Sequence, residues 1–289
     1  MKKFLWIIPI LAVVAAACLA SLVCFAKSLS GNRIIKASGN IVTKEIPIPE
    51  FNAINTSRAV KVVLTEQGDK IRIDADENLM AWVVVEPEDD ELQVTIDRHR
   101  QIKSINNSHV TVTIPVQGRT FRSLRASSAA EIRGKEVELK GADLLVKASS
   151  AAKIETSVKA GSCSIDASSA ADIDLTVKAA TCNIEASSAA NVRADIQSES
   201  CTADASSAAG ITLKGLTEYF ESGNSSAGKV NASELTAQRA DVTASSGSKT
   251  SVNCTESLKA SASSGAGIRY TGDCQVEASK SSGGSIRRK

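Results

Sequence analysis

The sequence predicts an all-β protein: a right-handed parallel β-helix with coils of about 19 residues, preceded by atypical N-terminal β coils. Three observations predict it. A seven-residue motif, ASSAAxI, recurs from Ala126 onward. The apolar residues between its copies alternate with polar ones, the period of a strand. Only 3% of residues are aromatic, so Ile, Val, Leu, Ala and Cys must fill the interior in many thin layers. With 43% hydrophobic and 23% charged residues and a formal net charge of +2, the 289-residue chain has the composition of a folded protein.

The first element is Met1 to Ala26. Two lysines precede an apolar run, Phe4 to Ala26, broken by Pro9 and Ser21, the pattern of a secretory signal. The same run is long enough to serve as an uncleaved membrane anchor. Against a lipidated Cys18 stand Ala15, where Leu is usual, and the apolar residues that continue past it. The chain is therefore expected outside the cytoplasm, touching a membrane only through this segment. Residues 27–37 read as a linker.

Residues 38–125 are rich in strand signals: AVKVVLTEQGDKIRIDAD, AWVVVEPEDDELQVTID and HVTVTIPV, punctuated by Gln67-Gly68 and Pro87. Within them NTSRAVKV, from Asn55, is a degenerate motif copy, with Ser57 and Val60 standing near the Ser and Ile positions. These coils are expected to cap the rod and to keep bare strand edges from its end.

Residues 126–289 hold the regular repeats. Motif copies start at Ala126, Ala148, Ala167, Ala186, Ala205, Asn224, Ala244, Ala262 and Lys280, at intervals of 22, 19, 19, 19, 19, 20, 18 and 18 residues. A period that survives such drift marks a structural unit. The seventh motif residue is Ile132, Ile154, Ile173, Val192, Ile211, Val230, Thr250, Ile268 or Ile286. A second column begins Leu144, Cys163, Cys182. Both should point inward, and the charged neighbours of the first, such as Glu131, Lys153 and Asp172, should point outward with signs that alternate between coils. The fourth motif residue is always Ala or Gly, which predicts a corner where backbones approach closely and where the paired serines bond to backbone groups or to one another.

FNAINTSRAVKVVLTEQGDKIRIDADENL, DDELQVTI, VTVTIPV and the recurrent SSAAxI resemble the head GIN domain family of auto-transporter adhesins, from about Ser38 to the C-terminus. The resemblance implies a β-helical fold and a role at the cell surface or envelope. It supplies no catalytic residues.

The sequence assigns no catalytic, cofactor-binding or metal-binding residue and no cofactor. Parallel β-helices also host polysaccharide lyases, which need paired carboxylates or a metal-bound base beside aromatic platforms. Here Asp172 and Asp174 are two apart on one strand face, with Lys153 and Arg193 in adjacent coils, so ion-pair ladders account for them. Tyr219, Phe220 and Tyr270 are the aromatics of the repeats. His99 and His109 precede them without metal-ligand spacing, and DRHRQIK reads as a charged loop. A flat Ser-Ala array for ice or crystal surfaces would be spoiled by the corner. The SIRRK tail reads as a solvated chain end, and interspersed charges give no case for nucleic acid. The reading is a non-enzymatic recognition or assembly module whose ligand, a cell-surface glycan or a protein, is open, as is homo-oligomerisation.

Seven cysteines include Cys18 and Cys24 in the targeting segment, leaving an odd five. Cys163, Cys182 and Cys201 share one apolar column and are expected as free, protected thiols. Cys254 and Cys274, in adjacent coils, are the likelier disulfide pair.

Overall fold

The coil Lys153–Ala167 shows how sequence becomes shape. Ile154, Thr156 and Val158 are buried along one arm and Cys163, Ile165 and Ala167 along the other. Val158 and Cys163 are five positions apart, which breaks the period of two, and the intervening Lys159 to Ser162 all face outward or sideways. The strand therefore bends back on itself there, while the serine motif closes the other end of the coil.

The structure, a computed structural model, describes residues 33–97, 102–106 and 108–289. Its N-terminal region contains β1 (Arg33–Lys36), β2 (Ile41–Pro47), β3 (Ala53–Thr56), β4 (Lys61–Thr65), β5 (Lys70–Asp76), a 3-10 turn at Met80–Trp82, β6 (Val83–Glu88), β7 (Glu91–Ile96), β8 (Ile102–Asn106), β9 (Val110–Pro115) and β10 (Ser123–Ala126). The stacked coils are β11 (Glu131–Ala148), β12 (Lys153–Ala167), β13 (Asp172–Ala186), β14 (Asn191–Ala205), β15 (Gly210–Asn224), β16 (Lys229–Ala244) and β17 (Lys249–Ala262). The last are split into β18 (Gly267–Thr271), β19 (Gln275–Lys280) and β20 (Ser285–Arg288). Successive coils pair in parallel, forming a β-solenoid. The proposed signal or anchor lies outside the described residues. Within the stretch read as a linker, β1 pairs with β8.

Both inward columns are observed. Ile132, Ile154, Ile173, Val192, Ile211, Val230, Thr250, Ile268 and Ile286 are in register and buried. The second runs Leu144, Cys163, Cys182, Cys201, Phe220, Ala240, Leu258 and Val276, and only the terminal Val276 is exposed. The 22-residue interval is absorbed by a bulge between Gly134 and Glu138, which leaves both columns in register.

The corner is tight for a different reason from the one the spacing predicts. Ser169 and Ala170 have φ of 52° and 60°, and every other regular copy repeats this pair of positive values. Two consecutive left-handed residues closed by an N–H···O bond, here from Ala171 N to Ser168 O at 3.1 Å, match the backbone of a type I′ turn. Small residues hold the fourth position because of this φ, since a side chain placed at Gly247 or Gly265 would meet nothing within 4 Å. Crowding belongs to the fifth position, where a side chain on Gly228 would drive into the Ala205 carbonyl. The serines contribute backbone rather than hydroxyls: Ala151 N donates to Ser169 O at 3.0 Å, and so on up the stack. Their hydroxyls are left to solvent because the main chain already satisfies itself between coils.

The N-terminal region continues both arms. β10 pairs with β3 and β3 with β7, while β11 pairs with β4 and β4 with β9, all in parallel. Antiparallel β6, β5 and β2 then cover those edges. The degenerate motif is real but runs Thr56-Ser57-Arg58-Ala59-Val60-Lys61-Val62. Arg58 and Ala59 are its left-handed pair, and Val62, not Val60, stands in the isoleucine column beside Ile132. Asp76, fully buried, holds this region by accepting the N–H groups of Gly39 and His109, each at 2.8 Å.

Candidate recognition surfaces

Asp172 and Asp174 do lie on one outer face, and Arg193 of the next coil bridges them at 2.8 and 3.6 Å. A guanidinium so placed engages both carboxylates and leaves neither aimed at a proton to move. Lys153 takes no part in this bridge. The alternating signs predicted along the ladder thus become ion pairs within and between coils, including Arg133 to Glu131 at 2.6 Å and Lys135 to Glu155 at 3.4 Å.

The other candidates disperse. Phe220 is fully buried in the cysteine column, Tyr270 packs half-buried against the core, and Tyr219 alone faces a groove. His109 is exposed, its Nδ1 3.9 Å from Asp76. His99 lies outside the described residues, as does part of DRHRQIK. Among the described residues no group of three or more His, Cys, Asp or Glu is placed to hold a metal ion. The SIRRK tail is a strand rather than a loose end: Ile286 completes the inner column, and Arg288 donates to the Gly272 carbonyl at 3.0 Å.

All five cysteines in the described residues are free thiols. Cys163, Cys182 and Cys201 stack thiol on thiol. The hydrogen bond to Cys182, together with burial, pushes the Cys163 thiol far up. Cys182 is also raised: the bond from Cys163 lowers it, but the bond to Cys201 and burial outweigh that. Such thiols are poor nucleophiles, because the reactive species is the thiolate. Cys254 and Cys274 are neighbours without a disulfide, contrary to the expectation from the sequence. The buried Cys254 thiol instead donates to the Ser257 carbonyl at 3.0 Å.

Among the described residues, shallow grooves line the outer faces of the solenoid, and another lies on the N-terminal region. One, of 430 Å³, gathers Tyr219, Arg239, Asp241, Lys259 and Glu277. A second, of 270 Å³, lies beside Asp166, Glu185 and Asp204, which stack in one column just before the serine motif. There burial raises the Asp204 pKa, Gly223 N–H opposes the rise, and Glu185 adds to it. A third, of 300 Å³, lies on the C-terminal coils between Lys249, Arg269 and Arg287. The one on the N-terminal region, of 520 Å³, is bounded by Phe51, Asn52, Asp90 and Arg119. The sequence reading missed the acidic column and the cationic groove because it followed only the neighbours of the isoleucine column through the first four coils. The residue before each motif, and the same neighbours followed to the last coil, carry the signal.

The sequence model of the family described as "Putative auto-transporter adhesin, head GIN domain" matches residues 50–195 and again 174–274. The chain belongs to this family. Among solved structures, the head GIN domain protein is similar to one described as a putative adhesin from Parabacteroides merdae, with a TM-score of 0.64 at 19% identity over 89% of this chain and 99% of that one. It is also similar to a putative adhesin from Parabacteroides distasonis, with a TM-score of 0.62 at 18% identity over 89% and 100%. A protein described as a putative lipid binding protein from P. distasonis gives 0.57 at 17% over 89% and 100%. At such identities the likeness carries the solenoid fold alone. No curated protein sequence matches the head GIN domain protein.

Proposed function

We propose that this head GIN domain protein is a non-enzymatic recognition or assembly module that works outside the cytoplasm, at the cell envelope. The observation that carries the reading is the Asp172–Arg193–Asp174 bridge: the carboxylate pair that the sequence offers on that strand face is spent on joining coils. The grooves elsewhere on the solenoid are open and lined by charged and hydroxyl side chains, which suits reversible contact with a hydrated partner. Membership of the adhesin family and the apolar N-terminal segment support placement outside the cytoplasm.

The test has two arms. Purified protein is expected to bind intact bacterial or host cells saturably, and to release neither unsaturated uronate nor reducing ends from pectin, alginate or glycosaminoglycans. Turnover of any of these polymers, with or without calcium, would overturn the non-enzymatic reading. Absence of saturable cell binding would overturn recognition at the surface.

A further inference from the structure

The outer columns flanking the isoleucine column change character along the rod. In the first coils they read Glu131, Lys153, Asp172, Asn191 and Arg133, Glu155, Asp174, Arg193, and most of these charges are paired. From the fifth coil they read Gly210, Lys229, Lys249, Gly267, Ser285 and Thr212, Asn231, Ser251, Arg269, Arg287, without one carboxylate. Lys229, Lys249, Arg269 and Arg287 are exposed, and among the described residues none makes an ion pair. The nearest acid in register, Glu234, lies at the margin beside Lys214, which already bonds Asp195 at 3.1 Å.

Four cations on four successive coils, Lys229 and Lys249 in one column and Arg269 and Arg287 in the next, form a strip roughly 14 Å long at the coil spacing of about 4.8 Å. The strip is grooved: Gly267 leaves a gap between Lys249 and Ser285, and the 300 Å³ hollow there is lined by Ser251, Arg269 and Arg287. Two guanidiniums stacked in register can each grip a carboxylate or sulfate with paired N–H groups, and the serine hydroxyls can bond sugar oxygens.

We propose that this strip binds a linear anionic polysaccharide, with one acidic sugar group per one or two coils. The inference rests on the recognition reading above and names its ligand class. A protein partner, including a second copy, would want a buried apolar or aromatic anchor, and the strip has none exposed. Single-stranded nucleic acid would want aromatic faces for its bases, and the one aromatic nearby, Tyr270, is turned half into the core. A second cationic row, Lys140, Lys159 and Lys178, stacks at the opposite bend but has no arginine and lines none of the grooves described above, so it serves as the internal comparison.

The experiment titrates the purified protein with fluorescent polygalacturonate, neutral dextran, oligo-dT and phosphatidylglycerol vesicles at rising salt. Polygalacturonate is expected to bind and to weaken steeply with salt, as when condensed counterions are released. Lys249→Glu/Arg269→Glu/Arg287→Glu should reduce its affinity by about tenfold or more, and Lys140→Glu/Lys159→Glu/Lys178→Glu, an equal charge change, by less than about threefold. Gln replacements at the same three C-terminal positions guard against loss through unfolding and should weaken binding in the same order. Equal loss from both reversals, no polygalacturonate binding at low salt, or equally tight binding of oligo-dT or vesicles would each overturn the proposal. Cell binding retained by the C-terminal reversal would sink the strip and leave surface recognition standing; polygalacturonate binding without cell binding would do the opposite.

Discussion

The coils around Ile154 and the coils around Asn224 share one backbone and differ inside. In the first, every inward position but Thr156 is apolar. In the second, four buried positions turn polar together: Ser222, Asn224, Ser248 and Thr250. They form one network. Asn224 accepts the Ala205 N–H at 3.0 Å and donates to Thr250 Oγ1 at 2.6 Å and Ser222 Oγ at 3.2 Å, while Ser248 donates to the Asn224 carbonyl at 3.1 Å. The departures in two adjacent motif copies, Asn224 in NSSAGKV and Ser248 with Thr250 in ASSGSKT, are thus one event. A stacked column tolerates a polar residue where the neighbours above and below supply its partners.

The comparison breaks most visibly where no partner is supplied. Ile173→Asp puts an unpaired carboxylate into the apolar coils and should destabilise by several kcal/mol, whereas Asp172→Lys, one residue away and outward, should cost about 1 kcal/mol or less through its lost bond to Arg193. Urea melts separate the two, and similar losses would contradict the inside–outside assignment. Next in size, Asn224→Ala strands the Ala205 N–H and Thr250 Oγ1 and should cost about 2–4 kcal/mol. Restoring the repeat with Ser222→Val/Asn224→Ala/Ser248→Ala/Thr250→Ile should return most of that stability, because an apolar set needs no partners. A quadruple variant weaker than Asn224→Ala would show that the network was not the reason for the departures.

Thr56 sharpens the point at the N-terminal end. It occupies the first motif position, held by Ala in most regular copies, and its buried hydroxyl has no hydrogen-bond partner. Thr56→Val should therefore stabilise by about 1 kcal/mol in thermal or urea unfolding, and a loss would mean that the hydroxyl is satisfied. The smallest effect belongs to the corner. Ala170→Gly relieves a residue at φ 60° and should raise stability by roughly 0.5–1 kcal/mol, while Ala170→Val should lower it.

Period, register and both inner columns were legible in the sequence because each depends on one residue type recurring at one interval. The corner's conformation was not, because Ala reports small size equally for steric closeness and for positive φ. Nor was the tail, since Arg287 and Arg288 look like a solvated end until Ile286 is seen to complete its column. The recognition surfaces were the least legible. Tyr219 and Phe220 are adjacent in sequence, yet one lines a groove and the other fills the core. The unpaired cations emerge only when outer columns are followed coil by coil past Gly210, where carboxylates stop.

Column position alone decides which side chains of this solenoid face solvent. Alkylation of the native, unmodified protein, with mass spectrometry of each cysteine before and after denaturation, tests it without a mutation. Cys274, partly exposed, should label readily in the native state, while Cys163, Cys182, Cys201 and Cys254 should label only after unfolding. Native labelling of Cys182 as fast as that of Cys274, or recovery of Cys182 in a disulfide peptide, would contradict the claim.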